Sequence, residues 1–415
     1  MLSISELMKK SMTQNFVSLV LLQGMNFLLP LLTLPYLYRV LGTERYGLVS
    51  FAYTLAQYLV MLTDFGFNLS ATKYISMHRD NMEVVNQYLN SAFICRFLLA
   101  GLSFLILFSL TVLFDRFERD AWFYISYFGI VIGNVMFPMW YFQGMEKMKY
   151  ITIFNVIAKT VSLVSFFIFI RRATDYVLVP LFYSAGFILA GFISIYIIYV
   201  KEKMRWFIPA LKQIRFVFSD SLTYFMSRIS VSMFTHINTF VIGLVCGNTA
   251  VGYYAAAEKL YQAYNLLLAP FSGVLFPYMA KTRDVPFFKR VLKYITPANV
   301  ILLIATLLCS SWIIYIMYGE SSQTGSLWVF RILMCGCVLT IPSMLLGYPF
   351  LAAMGHARYT NWTLVLVSIF HLTGLTVLYF LGFISIYSIA GLVVLSESLL
   401  FIIRVRGVKK YKLLS

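Results

Sequence analysis

Seven charged side chains stand where this sequence leaves little room for charge: Asp64, Arg96, Lys159, Arg228, Glu258, Lys259 and Glu397. Asp64 opens the stretch DFGFNLSATK and follows eighteen uncharged residues, Tyr46 to Thr63. In a membrane helix it lies roughly 13 Å from Lys73, at about 1.5 Å per residue. Lys159 has nine uncharged residues before it and eleven after it, near the middle of a span. Arg228 and Glu397 sit about 10 Å inside the inner ends of their helices. Arg96 falls toward the inner edge of its helix, and Glu258 and Lys259 about one turn below the outer surface. A charge at a helix centre costs about 2.5–3.5 kcal/mol to insert, so it normally faces a partner or a wet cavity. Lysine and arginine in such a cavity suit phosphate. Carboxylates there balance the cations when the site is empty, or take up a proton or Na⁺. Plainer roles compete: snorkelling or a structural ion pair for Arg228 and Glu397, a helix edge for Arg96, a rim salt bridge for Glu258 and Lys259.

The elements that carry these charges are membrane helices. Of the 415 residues 60 % are hydrophobic and 12 % charged, against about a quarter charged in a soluble domain. Charge-free runs such as Ser11–Tyr38, Ala121–Met145, Tyr176–Val200, Tyr294–Gly319 and Ile332–Ala357 exceed the ~20 residues of one crossing. The first of them reads as a retained span, without the pattern of a cleaved signal. The runs predict an all-α polytopic membrane protein with twelve transmembrane helices. These fall near 12–37, 46–70, 91–114, 121–144, 150–170, 177–200, 221–244, 251–280, 294–318, 332–354, 359–380 and 384–403. With that plan 22 lysines and arginines fall on one face, including the 201–215 loop, the 281–293 hairpin and the Arg404–Lys412 tail; seven fall on the other. Basic residues collect on the cytoplasmic side, which puts both termini there. The net charge of +17 is thus a topology signal and a contact with membrane lipid headgroups, not a nucleic-acid footprint.

Two halves follow. The sequence reads as an N-terminal six-helix bundle (1–200), a basic cytoplasmic linker (201–220), a second six-helix bundle (221–403) and a basic cytoplasmic tail (404–415). Gly42, Gly47, Ala52 and Gln57 recur 205 residues later as Gly247, Gly252, Ala257 and Gln262. Pro138, Gly144 and Lys147 recur as Pro349, Gly355 and Arg358, offset by 211. The offset spans an even number of helices, so the halves share one orientation, as in transporters of parallel repeats. A cavity between the bundles, opening to alternate sides, is the geometry expected of them. Prolines at 30, 35, 138, 270, 277, 342 and 349 permit kinks or hinges in four spans.

Three blocks resemble a known family. The run NFVSLVLLQGMNFLLPLLTLPYLYRVLGTERYG (15–47), the segment DFGFN (64–68) and VGYYAAAEKLYQAYNLLLAP (251–270) are similar to Wzx-type O-antigen flippases. Those form the polysaccharide transporter family of the MOP exporter superfamily, which also holds the MATE transporters. The resemblance implies a multi-pass protein of the bacterial inner membrane. Its cargo would be an undecaprenyl-pyrophosphate-linked oligosaccharide, moved from the cytoplasmic to the periplasmic leaflet by alternating access with H⁺ or Na⁺ coupling. The polymerase and chain-length regulator of polysaccharide assembly become candidate partners. Asp64 within DFGFN, and Glu258 and Lys259 within AAAEKL, match on motif; Lys159 and Arg228 match on depth and charge. The reading assigns Lys159, Arg228, Arg96 and Lys259 to cargo, and Asp64, Glu258 and Glu397 to coupling or charge balance.

No enzyme constellation stands out. There is no phosphate-binding GxxxxGK[ST] loop, and His78, His236, His356 and His371 are dispersed. Cys95, Cys246, Cys309, Cys335 and Cys337 read as small core residues rather than zinc ligands. The aromatic content of 18 % suits interfacial belts and the stacking of sugar rings. Two other readings were weighed. A MATE-like cation antiporter would want a more acidic interior, and a polysaccharide polymerase or ligase a long periplasmic loop.

Overall fold

The computed structural model describes the backbone of residues 4–322 and 324–413, with side chains except at 4–28, 30, 226–235, 268–270 and 321. Arg228, Pro30 and Pro270 therefore lie outside the described side chains. The described residues form helices and turns without strands. Among them, nine helical stretches are long and apolar enough to cross a membrane. Leu31–His78 and Gly325–Phe380, at 48 and 56 residues, are each more than twice the ~20 residues of one crossing. Both are broken internally. In the helix Ile4–Asp64 the break is Gly42, at φ 76 and ψ 168; in Leu346–His356 the breaks are Gly347 and Gly355.

The chain divides into two compact units, Met1–Leu41 with Ala52–Ser232 and Gly42–Phe51 with Met233–Ser415. The change of unit falls inside the helix Leu211–Cys246. Much of segment 201–220 is thus helical, and only 203–210 lack regular structure. The reason is a stripe at helical spacing: Val217 and Ser221 are fully buried, and Phe225 stacks on Phe65. Residues 404–410 of the presumed tail are also helix. Arg404 lies in Ile386–Lys410, 5 % exposed, with Gly407 against the ring of Tyr359.

The first unit has an aromatic core. Phe142 meets Phe154 at 5.4 Å and Phe93 meets Trp140 at 6.2 Å between ring centroids. Most of the largest fully buried side chains of the described chain are Tyr and Phe, so part of the aromatic content is packing. Small residues bring helices close: Gly186 of Val179–Tyr196 lies against the Ala158 carbonyl of Met148–Phe169. In the second unit Phe288 and Phe350 stack at 4.0 Å among Met279, Leu345 and Leu351. The repeat surfaces in this unit. Gly247 adopts φ 87 and ψ 178, nearly the conformation of its counterpart Gly42. Gly47 sits on the carbonyl of Asn248, and Gly252 on that of Thr43, a reciprocal contact. Each partner is the other's match at offset 205, so the sequence repeat is also a local two-fold contact.

The prolines act unequally. Pro138 separates the helices Phe128–Met136 and Met139–Gly144, whereas Pro35 and Pro277 lie within continuous helix. Cys95 and Cys337 are buried as expected of core residues, but Cys335, on the helix Gly325–Leu345, and Cys309, in the turn between Val285–Leu308 and Ser310–Tyr318, are exposed.

Candidate functional site

In the first unit the site is built around a helix break. Ile4–Asp64 ends at the carboxylate, and Phe65 (φ 40) and Gly66 (φ 80) take left-handed conformations before Phe67–His78 begins. A side chain at 66 has no room, because its Cβ would lie 2.7 Å from the Phe225 nitrogen and the Ser221 oxygen. Phe65 packs on Phe218 and Phe225 at 4.7 and 4.6 Å, and the Ser70 and Ser221 hydroxyls bond at 2.8 Å. The break is thereby fixed. Gly66→Ala adds left-handed strain of about 1–3 kcal/mol to that clash. It is expected to lower the melting temperature of the detergent-purified protein, and an unchanged melt contradicts this packing.

At the break, Asn68 Nδ2 donates to Asp64 Oδ2 at 2.7 Å. Arg96 lies below it, 3 % exposed, and Asp64 acts on its guanidinium electrostatically. That guanidinium donates to the carbonyls of Asn134 (3.0 Å), Val135 (3.3 Å), Thr63 (3.4 Å) and Phe137 (3.5 Å). Pro138 has no N–H to offer the Asn134 carbonyl four residues earlier, which accepts from the Phe137 nitrogen at 3.2 Å instead. Arg96 adds a second donor to it. Arg96, assigned to cargo from the sequence, is thus engaged by main-chain carbonyls.

Lys159 is half-buried on Met148–Phe169, next to the Ala158–Gly186 contact. That helix is also held by Ser162, whose hydroxyl meets the Phe182 carbonyl at 3.1 Å. At the basic end of this unit Lys147 pairs with Glu202, which also accepts from the Tyr141 hydroxyl at 3.2 Å. Sequence reading left both as loop charges.

In the second unit Glu258 and Lys259 do not form the expected rim pair. Thr239 donates to Glu258 at 3.2 Å, and Lys259 reaches Gln262 at 3.2 Å. Neighbours on a helix point about 100° apart, which separates them. Beside Thr239, Asn238 meets His371 Nε2 at 2.8 Å, and His371 Nδ1 meets the Ser396 hydroxyl at 2.9 Å. His371 is fully buried and so ties together Leu211–Cys246, Ala357–Phe380 and Ile386–Lys410. His371→Leu strands a buried amide partner at about 1–3 kcal/mol. A melting temperature equal to the parent's contradicts that role.

Glu397 follows Ser396 and is half-buried. It acts electrostatically on Arg404, seven residues on along the same face. Arg404 donates to the Ser343 carbonyl at 2.8 Å. Gly347 leaves room for the guanidinium, since a Cβ there would lie 2.8 Å from its Cζ. Among the described residues, each unit thus has a buried arginine that donates to carbonyls near a helix break and sits within the field of a carboxylate. Sequence reading missed Arg404 because it follows an apolar run and passes for a helix end. It missed His371 because a search for formal charge skips an uncharged imidazole, although a lone polar ring within 359–380 was a usable signal.

Comparisons with known proteins fit this architecture. Residues 12–283 match the family model described as "Polysaccharide biosynthesis protein". A protein of Escherichia coli (strain K12) named for O-antigen transport is 29 % identical over 274 residues, covering 66 % of each chain. The match thus spans just under two thirds of that relative. One from Shigella flexneri, similarly named, is 23 % identical over 364 residues, 79 % of this chain and 81 % of that one. Among solved structures, the lipid II flippase MurJ in an inward closed conformation gives a TM-score of 0.71 at 14 % identity, covering 96 % of this chain and 87 % of that one. An inward-facing MATE-family multidrug resistance transporter of the MOP superfamily gives 0.71 at 15 %, covering 96 % and 98 %. These likenesses establish the fold. The chain belongs to the polysaccharide biosynthesis protein family and has the helical membrane fold of MOP-superfamily transporters.

Proposed function

We propose that the protein is a flippase for undecaprenyl-pyrophosphate-linked oligosaccharide, carrying the repeat unit from the cytoplasmic to the periplasmic leaflet of a bacterial inner membrane. The family match over 12–283 carries the reading, supported by relatives named for O-antigen transport. The chain crosses the membrane twelve times with both ends cytoplasmic, and works by alternating access. It is a transporter and not an enzyme, and the polymerase and chain-length regulator are its working partners.

Lys159, Arg228 and Lys259 are the cations assigned to the pyrophosphate and glycan. Asp64, Glu258 and Glu397 balance them and take the coupling H⁺ or Na⁺. Arg96 positions Asp64 and does not itself meet cargo. An interior-negative potential favours outward movement of an anion by about 2.3 kcal/mol per charge per 100 mV. If the site neutralises the diphosphate, that drive is lost and the counter-moving cation supplies it.

Deleting the gene in its host and profiling surface glycan together with lipid-linked intermediates tests this reading. Loss of surface glycan, with the complete repeat unit trapped on the cytoplasmic leaflet, is expected. Single repeat units still reaching the surface would move a polymerase role ahead. An unchanged profile would favour small-molecule antiport.

A further inference from the structure

The helices Asn248–Thr282 and Val285–Leu308 of the second unit enclose a groove of about 720 Å³. Phe271, Val274, Tyr278, Phe287 and Tyr294 line it, and Arg290 is its one charged group. The groove opens outward, since Val274 is 74 % and Tyr294 71 % exposed. Tyr278 and Phe287 meet at 4.8 Å toward the hairpin end. Lys281 and Arg283 lie at the turn between the two helices, and Lys289 and Lys293 follow along Val285–Leu308; of these basic residues and Arg290, Arg290 lines the groove. Asp284 is the sole acid of 281–294, and its carboxylate is engaged as a helix cap, accepting from the Phe287 nitrogen at 2.8 Å.

An apolar trough between two membrane helices, cationic at one end, has the charge pattern of a lipid with an anionic head. Basic pockets between helices at the cytoplasmic side bind such headgroups. We propose that this groove holds an anionic glycerophospholipid of the bilayer. Its acyl chains lie along Phe271, Val274 and Tyr294, and its phosphate meets Arg290. Lys259, assigned to cargo in the same unit, is not among the residues that line it, and the proposal does not depend on the flippase reading.

Native mass spectrometry of the full chain, purified in detergent and offered phosphatidylglycerol or phosphatidylcholine with matched acyl chains, tests the proposal. One retained phosphatidylglycerol is expected, with phosphatidylcholine retained several-fold less. Arg290→Glu is expected to lower phosphatidylglycerol retention several-fold, and Val274→Trp, which fills the trough without changing charge, to lower it as well. Arg171→Glu, a charge reversal on an exposed residue of the first unit, leaves retention unchanged. Equal retention of the two lipids, no effect of both groove variants, or displacement of phosphatidylglycerol by added polyprenyl diphosphate overturns the assignment. The last of these outcomes would give the groove to the cargo lipid.

Discussion

Arg96→Ala is expected to remove most of the folded protein from the membrane. The change strips donors from the carbonyls of Thr63, Asn134, Val135 and Phe137. It also removes a cation whose field acts on the Asp64 carboxylate. Leaving buried carbonyl groups without these donors costs about 1–3 kcal/mol each, a large part of the about 5–15 kcal/mol that holds a domain folded. Arg96→Lys recovers little, because a compact ammonium does not reproduce the planar fork that spans several carbonyls. Quantitative blotting of membranes, together with the melting temperature of the purified variant, measures the effect. Normal abundance with transport lost would return Arg96 to the cargo site.

Asp64→Asn is expected to do the opposite, leaving abundance near normal while transport falls by about tenfold or more, equal to about 1.4 kcal/mol. Asparagine is isosteric and its side-chain oxygen still accepts from Asn68, so the helix break at Gly66 keeps its geometry. What disappears is the negative charge, and with it any exchange of partners when a diphosphate or a coupling cation arrives. Abundance and export of lipid-linked intermediates, measured on the same strains, separate the two effects. A variant that fails to accumulate would make Asp64 a structural residue paired to Arg96.

The membrane class was legible because twenty-residue apolar runs have few other uses. The break at Asp64-Phe65-Gly66 was visible only as a charge next to a glycine. Its cause, a close approach of residues 221 and 225, is a long-range contact that no local pattern reports. Of the charges singled out, Arg96 is buried, Asp64, Lys159, Glu258, Lys259 and Glu397 are half-buried, and Arg228 lies outside the described side chains. Arg96 and Glu258 have neighbours set by tertiary packing: carbonyls around the helix break at Pro138 for one, Thr239 for the other. The same limit hid Arg404, whose partner Ser343 is 61 residues away. The repeat was read from four matched positions at offset 205 and three at offset 211. The structure adds the reason glycine recurs there, a positive φ at Gly42 and Gly247 and carbonyl contact at Gly47 and Gly252.

The most direct test of the central claim is translocation by the purified chain. The protein is reconstituted into liposomes with a labelled undecaprenyl-diphosphate oligosaccharide. A membrane-impermeant glycan-modifying enzyme then reports how much cargo has changed leaflet over time. The account predicts that cargo crosses faster with protein than in empty liposomes, and that Asp64→Asn protein, folded by its melting curve, loses most of the gain. Cargo that crosses no faster with folded parent protein than without it, under either a proton or a sodium gradient, would contradict the assignment.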